Sequence, residues 1–346
     1  MSKDLRKARL DEWAREALGR HNISLSDDFR LERASDDASF RRYFRARSGS
    51  QSYIFVDAPP DREDSRPFVD VAERLGRYGL NAPRVYEADL ELGFMMLSDL
   101  GNELYLSAVQ DADQSVIDRL YDDAFAGLER MQEIPVEGLP PYNETLLREE
   151  MNLLPDWFLD RQLAITIDES ESQLLEQVFR LMVDNANEQP VVFVHRDYHS
   201  RNLMVTERDN PGILDFQDAV AGPLTYDLVS LLRDCYLRFP REQVYDWVES
   251  FRNRLVASAQ LNPSVSASTF RRWFDLMGLQ RHIKVAGIFS RLNIRDGKPR
   301  YLSDIPLVVG YMREVSGEYP ELMPFAEWID DRILRAMKDR PEFMTP

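Results

Sequence analysis

Three short apolar runs between residues 191 and 216 constrain the fold of this chain more than any other feature. They are VVFVH at 191–195, NLMV at 202–205 and GILDF at 212–216. Their length predicts short strands, and the TERDNPG segment at 206–212 is typical of a hairpin connection. A hairpin here holds the polar residues that flank it, Asn202 and Asp215, on one rigid frame at one edge.

The residues around this hairpin have the types and spacing that phosphoryl transfer needs. His195, Arg196, Asp197 and Asn202 reproduce the H-R-D-x-x-x-x-N spacing of the protein-kinase catalytic loop, and Asp215 follows. A carboxylate at Asp197 can accept the proton of a substrate hydroxyl, while Asn202 and Asp215 offer the hard oxygen ligands that Mg²⁺ prefers. We therefore predict a catalytic base at Asp197 and magnesium ligands at Asn202 and Asp215, with His195 supporting the loop.

Composition and charge argue against several classes of protein. The 346 residues are 44% hydrophobic and 30% charged, which is typical of a soluble globular protein. A net charge of −17 disfavours a nucleic-acid partner, because phosphate backbones require a basic face. Cys235 is the lone cysteine, and the sequence has neither an apolar signal region nor a membrane-length apolar run. We expect a cytoplasmic protein without a membrane partner, and a monomer is favoured.

Apolar periodicity predicts an α+β organisation. Residues 1–100 carry a helix at 3–20 and then five strands, with one further helix inserted before the last two, which predicts an antiparallel sheet. Helical patterns dominate residues 101–346, apart from the short strands described above. We predict a small β-rich, nucleotide-binding N-terminal lobe at 1–100 and a larger, mainly helical, catalytic and substrate-binding lobe at 101–346.

Several longer motifs resemble those of a known family. They are SDDASFRRYFR at 35–45, VDAPP at 56–60, LSDLG at 97–101, HRDYHSRNLM at 195–204, DFQDAVAGPLTYD at 215–227, QRHIKVAGIFSR at 280–291 and RDGKPRYLSDIP at 295–306. The chain resembles the kinase-like phosphotransferases that include aminoglycoside and choline kinases, and among them the bacterial anomeric amino-sugar kinases of cell-wall recycling. The resemblance implies a bilobed protein-kinase-like fold with ATP between the lobes. It also implies ATP- and Mg²⁺-dependent phosphorylation of the anomeric hydroxyl of N-acetylmuramate or N-acetylglucosamine to the sugar 1-phosphate.

The resemblance also assigns roles to single residues. Asp197 falls at the family's catalytic base, and Asn202 and Asp215 fall at its metal ligands. Asp227 falls where related kinases place an aspartate that holds the catalytic loop by hydrogen bonds. The SDDASFRR segment lies where a glycine-rich loop covers the phosphates, and LSDLG lies at the hinge. Nucleotide contacts are therefore expected at Ala38, Ser39, Phe40, Arg41, Leu97 and Asp99.

The chain departs from the family pattern at the lysine that usually grips the α- and β-phosphates. No lysine occurs between Lys7 and Lys284, and Asp57 lies in the corresponding region. Either an arginine substitutes, with Arg41, Arg42 and Arg45 as the candidates, or no residue does. The phosphate-covering segment also lacks glycine, so close backbone approach there depends on the small residues Ala38 and Ser39.

A basic segment in the acidic second part of the chain is a candidate for anion binding. Residues 280–301 carry six lysines and arginines against one aspartate, although residues 101–346 have a net charge of −15. A solvated helix face is one interpretation. The other is that an arginine binds the lactyl carboxylate of N-acetylmuramate, while a carboxylate at 149 or 150 accepts sugar hydroxyls. Substrate contacts are expected at Glu149, Arg201, Arg281 and Arg300.

Two other functions stay open at this point. An aminoglycoside or choline-type kinase is favoured by the acidic second lobe, which would attract a cationic substrate. A non-catalytic nucleotide-binding regulator on the same fold is expected to have lost its base or a metal ligand, whereas Asp197, Asn202 and Asp215 are all present.

Overall fold

The computed structural model describes residues 3–25, 29–34, 40–49, 51–338 and 340–343. By its contacts the chain divides into two units, each compact in itself. The first comprises the described part of Met1–Ile134 together with Arg201–Asp218, and the second comprises the described part of Pro135–Ser200 and Ala219–Pro346. The lobe boundary predicted between residues 100 and 101 falls inside the first unit.

The order of elements follows the predicted α+β pattern, with strands concentrated in the first hundred residues and helices after them. The strands are β1 (Glu32–Arg33), β2 (Arg42–Ser48), β3 (Gln51–Asp57), β4 (Val85–Asp89), β5 (Phe94–Ser98), β6 (Val191–Val194), β7 (Leu203–Met204), β8 (Gly212–Ile213) and β9 (Val220–Pro223). The helices are α1 (Lys3–Arg20), α2 (Arg66–Arg77), α3 (Tyr105–Val109), α4 (Gln114–Gln132), α5 (Glu144–Met151), α6 (Glu169–Asn187), α7 (Tyr226–Leu232), α8 (Arg241–Ala257), α9 (Ala267–Ile294), α10 (Ile305–Ser316), α11 (Met323–Trp328) and α12 (Arg335–Met337). Helical turns of other types occur at Leu154–Gln162, Pro299–Asp304, Pro320–Leu322, Ile329–Leu334 and Pro341–Phe343.

The first unit is built on an antiparallel sheet with the order β1-β2-β3-β5-β4, which confirms the predicted five strands. The sequence pattern predicts the first strand at 29–34, and β1 covers only Glu32–Arg33 of that segment. Helix α1 packs on the sheet through Trp13, whose ring lies 6.4 Å from Phe55 and 5.9 Å from Phe94, centroid to centroid. These rings form part of a continuous buried cluster, which fixes the position of α1 on the sheet.

The predicted hairpin at 202–216 is present and belongs to the first unit. Strands β7 and β8 pair antiparallel, Leu203 opposite Ile213. Two backbone hydrogen bonds join the hairpin to earlier segments of the unit. Ile213 N donates to the Asn81 carbonyl at 2.8 Å, and Val205 N donates to the Glu103 carbonyl at 2.8 Å. These bonds explain why the contacts group 201–218 with the earlier part of the chain.

The second unit is organised around helix α9, which is buried over most of its 28 residues. Its N-cap is Ser266, whose side chain accepts from Thr269 N at 3.0 Å. Gly287 allows close packing, since a Cβ there would lie 2.3 Å from the Leu153 backbone. In this unit β6 pairs with β9, a strand that the sequence did not predict, because VAGP contains glycine and proline, which both disfavour strands.

Apolar spacing in the sequence predicts one helix at 145–163, and the structure interrupts it. The two parts are α5 and the wider helical segment Leu154–Gln162. Pro155 lies near the start of the second part, and because it has no backbone N–H it cannot continue the hydrogen-bond pattern of α5. None of the helices in the described part of the chain has both the length and the apolar character needed to cross a membrane.

Candidate active site

The hairpin of the first unit brings Asn202 and Asp215 together as the sequence predicted. Leu214 N donates to the Asn202 carbonyl at 2.9 Å, which ties the backbone on both sides of the hairpin. The Asn202 side-chain amide lies 3.5 Å from Asp215 Oδ2, and the Gln217 amide donates to Asp215 Oδ1 at 2.8 Å. A carboxylate and a carboxamide are thus held side by side at the open end of the two strands.

The backbone at Asp215 has an uncommon conformation that its neighbours stabilise. Its φ is +61°, a left-handed value that aspartate tolerates better than most residues. The next residue, Phe216, is fully buried and packs on Phe68 of α2 with ring centroids 4.8 Å apart. The buried ring anchors the turn, so the position of the Asp215 carboxylate is set by core packing.

The donor set at this end of the hairpin fits a magnesium ion. Mg²⁺ binds hard oxygen ligands, and it is commonly held by one or two carboxylates together with substrate phosphates and water. Asn202 and Asp215 offer oxygens of that kind from a rigid frame. Among the described residues, no group of three or more His, Cys, Asp or Glu side chains is arranged to hold a metal. The side-chain oxygens of Asn202 and Asp215 therefore fit Mg²⁺ as two of its ligands.

In the second unit, two buried aspartates hold the loop that carries Asp197. The Asp227 carboxylate accepts hydrogen bonds from His195 N at 2.7 Å and Arg196 N at 3.0 Å. Arg196 has a φ of +77°, so these bonds stabilise a strained turn. At the other end of the loop, Asp234 accepts from Ser200 N at 3.1 Å and from the Ser200 hydroxyl at 2.5 Å.

His195 supports the same loop from within. Its ring is fully buried, and its Nδ1 accepts a hydrogen bond from Asp197 N at 3.2 Å. Burial raises the pKa of the Asp227 carboxyl to about 7, although the two backbone hydrogen bonds act in the opposite direction. The hydrogen bonds of His195 and Asp227 thus fix the loop that carries Asp197, and the supporting role of the two residues in catalysis stays a prediction.

Positive charges surround Asp197 within the second unit. Burial opposes its ionisation, but the charges of Lys284, His199 and Arg281 outweigh burial and hold the pKa of this carboxyl below its usual value. The His199 ring nitrogen Nε2 lies 3.9 Å from Asp197 Oδ1. The side chain nevertheless retains 46% exposure. Asp197 is thus a stably ionised carboxylate that a small molecule can reach.

A buried polar cluster around Glu150 includes Lys284, one of the cations that lower the pKa of Asp197. Glu150 Oε1 lies 2.8 Å from Lys284 Nζ and also pairs with Arg196, while Oε2 accepts from the Tyr142 hydroxyl. Lys284 donates in addition to the Tyr226 hydroxyl at 3.1 Å. The side chains of Glu150 and Lys284 are only 7% and 8% exposed. Lys284 therefore acts on two carboxylates at once, directly on Glu150 and through space on Asp197.

The residues predicted to contact the nucleotide have different surroundings in the first unit. Phe40 is exposed, and its backbone N donates to Glu63 Oε1 at 3.3 Å. Arg41 is buried and pairs with the same glutamate at 3.4 Å. Leu97 is buried in β5, and the Asp99 carboxylate pairs with Arg45 Nε at 2.5 Å. Ala38 and Ser39 lie outside the described residues.

The region of the missing lysine is occupied by a buried ion-pair cluster. Asp57, at the end of β3, is fully buried and pairs with Arg42 of β2 and with Arg6 of α1, whose Nε lies 2.7 Å from Oδ1. Arg41 and Arg45 pair with Glu63 and Asp99. Each of the three arginines considered as a substitute therefore has a carboxylate partner in its own unit.

The residues predicted to contact the substrate lie in dissimilar places. Glu149 is exposed on α5, whereas its neighbour Glu150 is buried. Arg281 is buried on α9 and its Nη1 lies 3.2 Å from Cys235 Sγ. Arg201 is partly buried, at the start of the hairpin segment in the first unit. The exposed Arg300 stacks over the Tyr301 ring at 5.1 Å.

Lys284, Asp234 and Arg6 are prominent in the structure but were not singled out from the sequence. A signal for Lys284 exists, because a lone lysine in the apolar stretch IKVAGIF of an arginine-rich chain is expected to be buried and paired. Asp234 and Arg6 act through partners that are distant in sequence, so no local pattern marks them.

Comparison with known proteins gives the family. A model of the phosphotransferase enzyme family matches residues 30–261. The N-acetylmuramate/N-acetylglucosamine kinase of Pseudomonas aeruginosa is 45% identical over 296 residues, covering 85% of this chain and 86% of that protein. The protein of the same name from Neisseria meningitidis is 44% identical over 86% of this chain and 89% of its own length.

Solved structures share the fold at low sequence identity. Choline kinase from Cryptosporidium parvum has a TM-score of 0.64 at 14% identity, over 94% of this chain and 99% of that one. The GDP complex of aminoglycoside 2'-phosphotransferase-IIIa has a TM-score of 0.59 at 17% identity, over 89% and 99% of the two chains. These likenesses confirm the predicted protein-kinase-like fold, with a small antiparallel sheet and a larger helical part. From the family match and the relatives together, the chain belongs to the phosphotransferase enzyme family.

Proposed function

We propose that this protein is an ATP- and Mg²⁺-dependent sugar kinase that phosphorylates the anomeric hydroxyl of N-acetylmuramate, N-acetylglucosamine or both. The observation that carries the proposal is the accessible, ionised Asp197 on a loop fixed by Asp227, with Lys284 and Arg281 beside it. The relatives that share 44–45% of their sequence with this chain are named as kinases of these two sugars. The product would be a sugar 1-phosphate.

Asp197 would serve as the base for the anomeric hydroxyl. An ionised carboxylate accepts the hydroxyl hydrogen bond and fixes the direction of the attacking oxygen. Because its pKa is lowered, Asp197 is a weak base that receives the proton late, when bond formation has made the hydroxyl more acidic. A late proton transfer suits the loose transition state of phosphoryl transfer, for which positioning matters more than basicity.

Asn202 and Asp215 would hold Mg²⁺ at the end of the hairpin in the first unit. With ATP bound, the ion neutralises phosphate charge and ATP provides the transferred phosphoryl group. The contribution of the chain is a fixed pair of oxygen ligands, anchored by the backbone bond to Leu214 and by the buried Phe216 ring. We also propose that Phe40, Arg41, Leu97 and Asp99 lie near the nucleotide.

Two cations near Asp197 bear on the charge of the acceptor. Lys284 and Arg281 are buried next to it within the second unit, and an aminoglycoside or choline would bring further positive charge to that place. An N-acetyl sugar brings none, and N-acetylmuramate brings a carboxylate. The names of the relatives favour the amino-sugar kinase over the cationic-substrate alternative.

The need for ATP places the reaction in the cytoplasm, and N-acetylmuramate is a building block of peptidoglycan. We therefore assign the enzyme to the reuse of cell-wall sugars. The presence of Asp197, Asn202 and Asp215 favours this catalytic role over a nucleotide-binding regulator.

The proposal is tested by incubating the purified protein with ATP, Mg²⁺ and one acceptor at a time. The acceptors are N-acetylmuramate, N-acetylglucosamine, its methyl glycoside, choline and kanamycin. Phosphate on an anomeric oxygen is released by brief mild acid, whereas phosphate on a primary hydroxyl is not. We expect acid-labile phosphate with the two free sugars and no product with the methyl glycoside, which lacks the anomeric hydroxyl.

The Asp197→Asn variant is the matched control, because the side chain keeps its size and loses its charge. It should show no acid-labile product above about 1% of the wild-type rate, from the range measured for a positioned base. Acid-stable product would place the phosphate on another hydroxyl. Turnover of choline or kanamycin alone would replace the proposal with the alternative.

A further inference from the structure

We propose that Arg291 of helix α9 binds the carboxylate of an acidic sugar and so selects N-acetylmuramate over N-acetylglucosamine. The inference rests on the proposed function, and it assigns a specificity residue to it. Among the cations of the basic segment at 280–301, Arg291 is distinguished by its partners, its burial and its position on the helix.

Four cations of α9 and its end lie on one face of the helix. Taking 3.6 residues per turn, Arg281, Lys284, Arg291 and Arg295 fall within an arc of roughly 80°. The face begins at the buried Arg281 and Lys284, which act on Asp197, and it ends at the exposed Arg295. Arg291 stands between these ends and is partly buried. The face thus leads from the proposed base towards the surface.

Three of these four cations have their charge compensated. Lys284 pairs with Glu150 at 2.8 Å. Arg281 contacts Cys235 Sγ, and the carboxylates of Asp197 and Asp234 help to raise its pKa. Arg295 pairs with Asp296 through Nε at 2.8 Å. These contacts already occupy the three cations within the protein.

Arg291 differs from them. Its side chain pairs with no carboxylate anywhere in the described part of the chain, and its Nε is buried without a hydrogen-bond partner there. Burial, followed by the charge of Arg295, lowers the pKa of its guanidinium, and the charge of Asp296 acts in the opposite direction. A partly buried guanidinium that makes no direct ion pair and has an unused N–H donor is the arrangement that a bidentate carboxylate ligand satisfies.

The position of Arg291 along the helix suits the shape of the sugar. Seven residues separate it from Lys284, which is about 10 Å along the axis at 1.5 Å per residue. In N-acetylmuramate the lactyl ether is attached at C3, so its carboxylate projects away from the anomeric hydroxyl at C1. We propose that, with that hydroxyl at Asp197, the sugar binds with its carboxylate towards Arg291. N-acetylglucosamine has a hydroxyl at C3 and presents no charge to Arg291.

The test compares kcat/KM for the two sugars in Arg291→Gln, with Arg295→Gln as the matched control on the same face. In Arg291→Gln the ratio of N-acetylmuramate to N-acetylglucosamine should fall about 10- to 150-fold, the loss expected for a charge-assisted hydrogen bond. Arg295→Gln should change the ratio less than about twofold, as expected for an exposed pair. The ratio cancels any general damage, because such damage lowers both values.

Arg291→Lys provides a second variant if the glutamine substitution impairs folding. It keeps the charge and loses the planar fork, so the ratio should fall less than in Arg291→Gln, with the change mainly in KM. An unchanged ratio in both variants would overturn the assignment of Arg291. Absence of turnover of either sugar by the wild-type protein would instead contradict the proposed function, so the two failures are distinguishable.

Discussion

Replacing Glu150 by glutamine tests whether the buried charge cluster of the second unit is held together by this one carboxylate. The substitution keeps the size of the side chain and removes its charge. Lys284 and Arg196 then lose their shared partner, and the Tyr142 hydroxyl loses its acceptor or faces an amide. The loss leaves two cations near each other in a place with little solvent.

The expected cost follows from the burial of the partners. Removing one member of a buried ion pair costs about 3–5 kcal/mol, because the remaining charge stays desolvated. Lys284 is 8% exposed and cannot reach water easily, whereas Arg196 is 20% exposed and can turn outward. We therefore expect the lower part of the range, about 3 kcal/mol of unfolding free energy at pH 7.

Urea denaturation followed by circular dichroism measures this cost. The matched control is Glu176→Gln, which breaks the exposed pair with Arg148 on the same unit and should cost no more than about 1 kcal/mol. The double variant Glu150→Gln/Lys284→Met should regain part of the loss, since it removes one unpaired cation. A cost for Glu150→Gln equal to that of the control would refute the reasoning.

The pH dependence gives a second check with a defined sign. Burial raises the pKa of Glu150, but Lys284 and Arg196 outweigh it, and the pKa in the fold is lowered. The carboxylate therefore stabilises the protein above its ordinary pKa, and this contribution is lost as the pH falls through the lower folded value. The deficit of Glu150→Gln should shrink on acidification. A constant deficit down to pH 3 would contradict the assigned charge state.

Three further substitutions test the chemistry. Asp197→Asn should lower kcat by about 10²–10⁴-fold with nucleotide affinity nearly unchanged, as checked by calorimetry; an undiminished kcat would remove Asp197 from the mechanism. Asp215→Ala should weaken Mg²⁺-dependent ATP binding and abolish turnover, and a normal Mg²⁺ titration would disprove the metal assignment. Lys284→Met removes a charge that lowers the pKa of Asp197, so the acid limb of the kcat/KM profile should move to higher pH; a limb that stays in place would refute this coupling.

The features that the sequence predicted well are those set by local patterns. The hairpin follows from two apolar runs and a turn, so the proximity of Asn202 and Asp215 was predictable from the sequence alone. Helix α1 and the five-stranded sheet follow from periodicity in the same way. Strand β9 was missed, because its pairing with β6 overrides the weak strand preference of VAGP.

The features that the sequence did not predict depend on packing between distant segments. Asp57 pairs with Arg6, 51 residues away, and no local pattern records which face of α1 covers β3. Glu149 and Glu150 are adjacent and chemically alike, but successive positions on a helix point about 100° apart. Only the packing of α5 on α9 determines that Glu150 is buried and Glu149 exposed.

Net charge is a poor guide to the charge near the proposed base for a related reason. The chain carries −17 overall, yet exposed charges more than about 10 Å away are screened by salt, whereas buried charges are not. Lys284 and Arg281 are buried near Asp197, so these two cations act on its carboxylate more strongly than distant surface carboxylates do. Burying Lys284 costs desolvation energy, which Glu150 and the Tyr226 hydroxyl offset. The Glu150 pair thus permits a buried lysine near the proposed base, where its charge helps to keep the pKa of Asp197 low.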